Sequence, residues 1–219
     1  MVSFQNKNRS FTLIELLVVV AIIALLMSYT TLNYADARQK SRDAKRFGHI
    51  SEIGKALNLY MSDNGGKLPS PTCPPCLPEA GGWETSDASP DISTDWMEYL
   101  KPYFHGAVPA DPINKRVAGF SFFGPRPGNY FYAYYRYDPP PTYCPGIKNP
   151  ISIIAISNLE SFVRPELPET DMPLPLSVNF PRAKCGDPGP DGICSVAEYN
   201  AGQCRDWSQE FDYSIMFVE

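Results

Sequence analysis

Arg9-Ser10-Phe11-Thr12-Leu13-Ile14-Glu15-Leu16-Leu17-Val18-Val19-Val20-Ala21-Ile22-Ile23 decides how this chain is read. Glu15 is the one charged side chain between Phe11 and Ala35, and an uncharged run of 20 residues, Leu16 to Ala35, follows it. At about 1.5 Å per residue that run matches a hydrocarbon core about 30 Å thick. A carboxylate in such a helix costs on the order of 2.5 kcal/mol or more, so it implies a partner and a task. A secretory signal peptide also pairs a basic start, here Lys7 and Arg9, with an apolar stretch, but no small-residue cleavage site follows Met27. A plain signal anchor fits the length and leaves Glu15 unexplained.

Working outward, charge splits the 219 residues. Residues 1–64 hold eight Lys/Arg against five Asp/Glu, and residues 65–219 hold eleven against nineteen. The larger part is acidic and aromatic, a poor match to a nucleic-acid backbone, so no nucleic-acid partner is expected. Its length allows one globular domain with a modest core. Arg38, Lys40, Arg42, Lys45 and Arg46 crowd the far end of the apolar run, against Lys7 and Arg9 at the near end. Read alone, the positive-inside rule would place that far end in the cytoplasm. The six cysteines downstream argue for export instead, and Asp36 and Asp43 interleave the basic residues.

From Asp36 to about Asn64 the spacing predicts a continuation of the same helix. Ala37, Ala44, Phe47, Ile50, Ile53, Leu57 and Tyr60 form one apolar stripe. Residues 36–46 are too charged to bury on this reading. Asn64-Gly65-Gly66 and Pro69 end the helix. Beyond an irregular loop over 69–92, Asp95 to Leu100 is expected as a short helix capped by Ser93, Thr94 or Asp95. Strands are expected at Val117 to Phe123, Tyr130 to Tyr137 and Ile151 to Ser157.

The segment from Arg9 to Ile23 resembles the start of type IV prepilins and of type II secretion pseudopilins. Arg42-Asp43-Ala44-Lys45-Arg46, Asp63-Asn64-Gly65, Pro109-Ala110-Asp111-Pro112, the tyrosine-rich strand and Ala155 to Glu160 extend the likeness toward a major pseudopilin. The resemblance implies that a prepilin peptidase cuts before Phe11 and methylates the freed amine, and that Glu15 steers subunits into a filament. A new α-amine is mostly cationic at neutral pH, and an amine from a neighbouring subunit would offset the cost of Glu15. The position before the cut is usually glycine in the family and is Ser10 here, so slower processing is expected.

Cys73, Cys76, Cys144, Cys185, Cys194 and Cys204 all lie outside the apolar run and suggest up to three disulfides, with connectivity open. Cys73-Pro74-Pro75-Cys76 sits among prolines rather than at a helix start, so structural bridging is expected over dithiol chemistry or zinc. Between Cys185 and Glu198, Asp187, Asp191, the Ile193 carbonyl and Glu198 fall at positions one, five, seven and twelve of an EF-hand-like loop, with Gly189 in place of a ligand at position three. A calcium loop and a Gly/Pro turn stapled by Cys185, Cys194 and Cys204 both fit. The resemblance favours metal, since major pseudopilins use calcium in a C-terminal loop, though not through this motif. His49 and His105 have no motif neighbours, and no catalytic constellation is present, so no enzyme is expected.

The expected fold class is α+β and pilin-like: a long N-terminal transmembrane helix packed under an antiparallel β-sheet, with a disulfide-rich C-terminal extension. The expected segments are a leader at 1–10, a membrane and assembly helix at 11–35, its amphipathic half at 36–64, a globular domain at 65–163 and an extension at 164–219. The expected function is a polymerising subunit of a pilus-like or secretion pseudopilus filament in a bacterial-type inner membrane, with the C-terminal domain exported. Its partners would be copies of itself, other pilin-like subunits, the peptidase and membrane lipid. No cofactor is required beyond calcium, if that loop binds it. The alternative is a tethered exported binding domain, calcium-dependent and not polymerising.

Overall fold

The computed structural model describes residues 11–71, 83–87, 96–117, 128–142, 144, 146–161, 184–186, 197–198, 201–207 and 211–219, the side chains of 29–33, 184 and 206 excepted. The chain divides into two units, Met1–Ser41 and Arg42–Glu219. Helix α1, Leu13–Asp63, begins in the first and ends in the second.

In the first unit, Leu13, Ile14, Leu16, Leu17, Val18, Val19, Val20, Ile22, Ile23, Leu25, Leu26 and Met27 are all exposed. Apolar residues on every side of a helix require lipid or other protein around them. Among the described residues, no helix is long and apolar enough to cross a membrane. The apolar part with described side chains, Leu13 to Ser28, accounts for about 24 Å of helix rise.

In the second unit α1 becomes amphipathic. Phe47, Ile50, Ile53, Ala56 and Leu57 are buried and Tyr60 packs at the edge, whereas Ala37 and Ala44 are exposed. The stripe therefore starts at Phe47, ten residues later than the spacing predicts. The helix ends as expected: Gly65 and Gly66 take positive φ of 66° and 83°, and Gly66 N–H donates to the Met61 carbonyl at 2.8 Å.

Four antiparallel strands lie against this stripe in the order β1-β2-β3-β6, where β1 is Glu84–Thr85, β2 Tyr132–Tyr137, β3 Ile151–Ile156 and β6 Tyr213–Val218. Strand β3 is apolar enough to be buried on both faces. Ile154 and Ile156 join Tyr132, Tyr134, Ile215 and Phe217 over the helix. Ile151, Ile153 and Ala155 join Phe131, Ala133, Trp83, Trp207 and Phe211 on the other side. The period of two thus supplies two cores to one sheet.

Several sequence expectations are refined. The short helix is a 3-10 turn at Glu98–Tyr103 that includes Pro102, and its N-cap Met97 is left-handed with no side-chain cap. Its start is held instead by Glu84, whose carboxylate accepts the Met97 N–H and the Tyr99 hydroxyl, the latter at 2.8 Å. Ser93, Thr94 and Asp95 lie outside the described residues. Of the strand expected at Val117 to Phe123, only Val117 lies within the described residues and it is in no strand, although Lys115, two residues before it, forms an isolated bridge with Tyr130.

The stretch read as an extension, 164–219, supplies β6 to the main sheet, together with β4 (Lys184–Gly186) and β5 (Cys204–Asp206), which pair with each other. The last residue is tied in as well. Glu219 Oε1 accepts from the Leu68 N–H at 2.7 Å and from Arg136 Nε at 2.8 Å.

Cys144 and Cys185 form a disulfide on the second core, so Cys185 is bonded across to the segment between β2 and β3 rather than to Cys194 or Cys204. Cys204 is also disulfide-bonded. Cys73, Cys76 and Cys194 lie outside the described residues.

Candidate assembly site

Two groups of functional residues were expected, around Glu15 and around Asp187. Ser10 lies outside the described residues, as do Asp187, Asp191 and Ile193, while Glu198 is half-buried on a short helical turn. Phe11 is 79 % exposed, one residue before the N-cap of α1.

Thr12 and Glu15 form a reciprocal cap. Glu15 Oε2 accepts from the Thr12 N–H at 2.9 Å and from the Thr12 hydroxyl at 2.7 Å, and Thr12 Oγ1 accepts from the Glu15 N–H at 3.3 Å. The carboxylate thus sits at the positive end of the helix and satisfies a donor that would otherwise be orphaned. This arrangement is absent from the sequence reading, which treats Glu15 as unpaired within its own chain. The signal was present, because Thr-x-x-Glu ahead of an apolar run is the capping-box pattern. Within one subunit Glu15 is therefore oriented before any second chain arrives.

In the second unit, two charged residues of the segment expected to be too charged to bury are buried, while Ala44 and Lys45 between them stay exposed. Arg46 is 0 % and Asp43 5 % exposed. Arg46 grips Asp111 with two hydrogen bonds of 2.6 and 3.1 Å, and its Nη1 also donates to Asp43 at 2.6 Å and Glu160 at 2.8 Å. Arg42 donates to Glu160 through Nε at 2.6 Å and through a second nitrogen. Asp43 accepts the N–H groups of Glu160 at 3.0 Å and Ser161 at 2.7 Å. The guanidinium of Arg46 lies 5.0 Å from the Tyr130 ring centroid. The network joins one turn of α1 to the turn at Pro109–Pro112 and to the segment after β3. Sequence reasoning missed it because the partners come from Asp111 and Glu160, far along the chain.

Burial works against the charge of Asp43, but the Ser161 hydroxyl, the two backbone N–H groups and Arg46 hold it below its ordinary range. Arg42, with Arg46, does the same for Glu160. Burial and the Asp111 contact act oppositely on Arg46, and the contact prevails, keeping it protonated. Both depressed carboxylates contribute stability that is complete above the ordinary carboxylate range, about pH 4, and is lost as pH falls through their native values. Glu84 has the opposite sign, since burial raises it and acid favours its native form. We therefore expect the urea midpoint of the globular unit to fall between about pH 6 and pH 3, and to fall more steeply in Glu84→Gln, which lacks the compensating term. A flat profile in both would contradict the assignment.

Residues 5–30 match the model of the prokaryotic N-terminal methylation motif. Type II secretion system core protein G of Escherichia coli (strain K12) is 31% identical over 107 residues, covering 49% of this chain and 68% of that protein. The type IV wide pilus major component PilA4 of Thermus thermophilus is 38% identical over 60 residues, 27% of this chain and 46% of that protein. No solved structure matches. With the methylation motif running into the capped helix, and with two thirds of core protein G aligned, the chain belongs to the pilin-like family of type II secretion system core protein G.

Proposed function

We propose that the chain is a structural subunit that polymerises through the apolar half of α1 into a pilus-like or secretion pseudopilus filament. In this reading residues 1–10 are a leader removed before Phe11 by a prepilin peptidase. Residues 11–35 hold the subunit in the inner membrane until assembly, with the globular unit exported. The observation that carries the reading is the all-round exposure of the large apolar residues from Leu13 to Met27, headed by the capped acid Glu15. Such a surface is stable only against lipid or against other helices of its kind. Glu15, already oriented by Thr12, would meet the α-amine of a neighbouring Phe11 on docking. The apolar surroundings strengthen that attraction.

Replacing Glu15 by alanine tests this. Filament incorporation is expected to fall at least tenfold, the equivalent of about 1.4 kcal/mol or more, while the globular unit keeps its disulfides and its unfolding midpoint. Unchanged incorporation would favour a tethered domain that does not polymerise. The mass of the mature chain checks the processing step: loss of residues 1–10 and gain of one methyl is expected, and a retained leader would refute it.

A further inference from the structure

Five basic residues follow the apolar run of α1, and they are not equivalent. Arg42 and Arg46 are held by Glu160, Asp111 and Asp43. Arg38 and Lys40 are exposed in the first unit, as is Tyr34 at 60%. The Arg38 guanidinium lies 4.8 Å from the Tyr34 ring centroid, so its side chain folds back one turn toward the apolar end of the helix. Along the axis, Leu13 and Tyr34 are separated by about 32 Å, close to the thickness of a hydrocarbon core, about 30 Å. When the Glu15 end lies at one boundary, Tyr34 falls at the opposite one. Arg38 then carries its charge back to headgroup depth, and Lys40 stands within reach on another side of the helix. Asp36, four residues before Lys40, lies on the Lys40 side of the helix and away from Arg38.

We propose that Tyr34, Arg38 and Lys40 form a headgroup-binding collar that takes anionic phospholipid at the far leaflet. This rests on the membrane-spanning reading above. An aromatic side chain supplies an amphipathic anchor at the boundary, and basic side chains next to it attract phosphate and anionic headgroups. The collar would hold the unassembled subunit at a fixed depth, with Glu15 at the opposite face of the bilayer.

The test uses the full chain reconstituted in phosphatidylcholine vesicles containing spin-labelled phosphatidylglycerol or spin-labelled phosphatidylcholine. Resistance to alkaline extraction reports integration in the same samples. The expected result is a several-fold preference for phosphatidylglycerol in the motionally restricted lipid, about fivefold per basic side chain that engages, lost in the R38Q/K40Q variant while integration is unchanged. No preference in an integrated chain overturns the collar and leaves the spanning reading intact. A preference that survives in R38Q/K40Q also overturns it, placing the charge elsewhere. Loss of crosslinking between subunits in R38Q/K40Q, without any lipid preference in the parent, would assign these residues to a second copy instead. Failure to integrate removes the spanning reading and the collar together.

Discussion

Arg46→Ala is expected to lower the unfolding free energy of the globular unit by about 3–5 kcal/mol, the range for removing one member of a buried ion pair. The side chain is fully buried, and its loss would strand Asp111, Asp43 and part of Glu160 without a counter-charge. Arg42 would remain on Glu160, on the outer side of the network. Arg46→Lys should recover only part of the loss, because an ammonium cannot make the two-pronged contact with Asp111. Urea unfolding of the three proteins checks the order. A shift below about 1 kcal/mol in Arg46→Ala, the scale of an exposed pair, would mean that the network is solvated and contributes little.

The second large effect is expected at Trp207, from the stretch that reads as an appendage. Trp207 is fully buried in the second core, its Nε1 donates to the Tyr137 hydroxyl at 3.3 Å, and the two rings are 5.8 Å apart. Trp207→Ala should cost about 3–5 kcal/mol, the usual range for an aromatic removed from a packed core. Because the same core contains Ile153 and Ala155, the loss should also reduce hydrogen-exchange protection along β3. Exchange confined to residues near 207, with β3 unchanged, would restore the picture of an independent extension.

These two sites mark where sequence reasoning stopped. Helix α1 was legible because its signals are local: an unbroken apolar run, then Phe47, Ile50, Ile53 and Leu57 at helical spacing, then Asn64-Gly65-Gly66. Strands β2 and β3 were legible from tyrosine and isoleucine content. The burial of Arg46 was not, since the rule that charged helix turns face water holds only until loops deliver matching carboxylates. Ala37 and Ala44 enter the stripe by spacing alone, whereas among the described residues both are exposed. Strand β6 was hidden for a related reason. Tyr213-Ser214-Ile215-Met216-Phe217-Val218 lies beyond a long proline-rich stretch, and its partner is far upstream. At the other end of the chain the opposite holds, because the capping pattern Thr12-x-x-Glu15 is local and readable in one line of sequence.

The register of β6 against β3, from Ile156 with Tyr213 to Ile151 with Val218, has a consequence for biosynthesis. Ribosomes deliver β2 and β3 well before their last neighbour. Until Tyr213–Val218 emerges, β3 carries a bare, strongly apolar hydrogen-bonding edge, the kind of margin on which nascent chains cross-pair. Any stall in synthesis ahead of that strand would therefore leave a sticky half-sheet rather than a smaller stable domain.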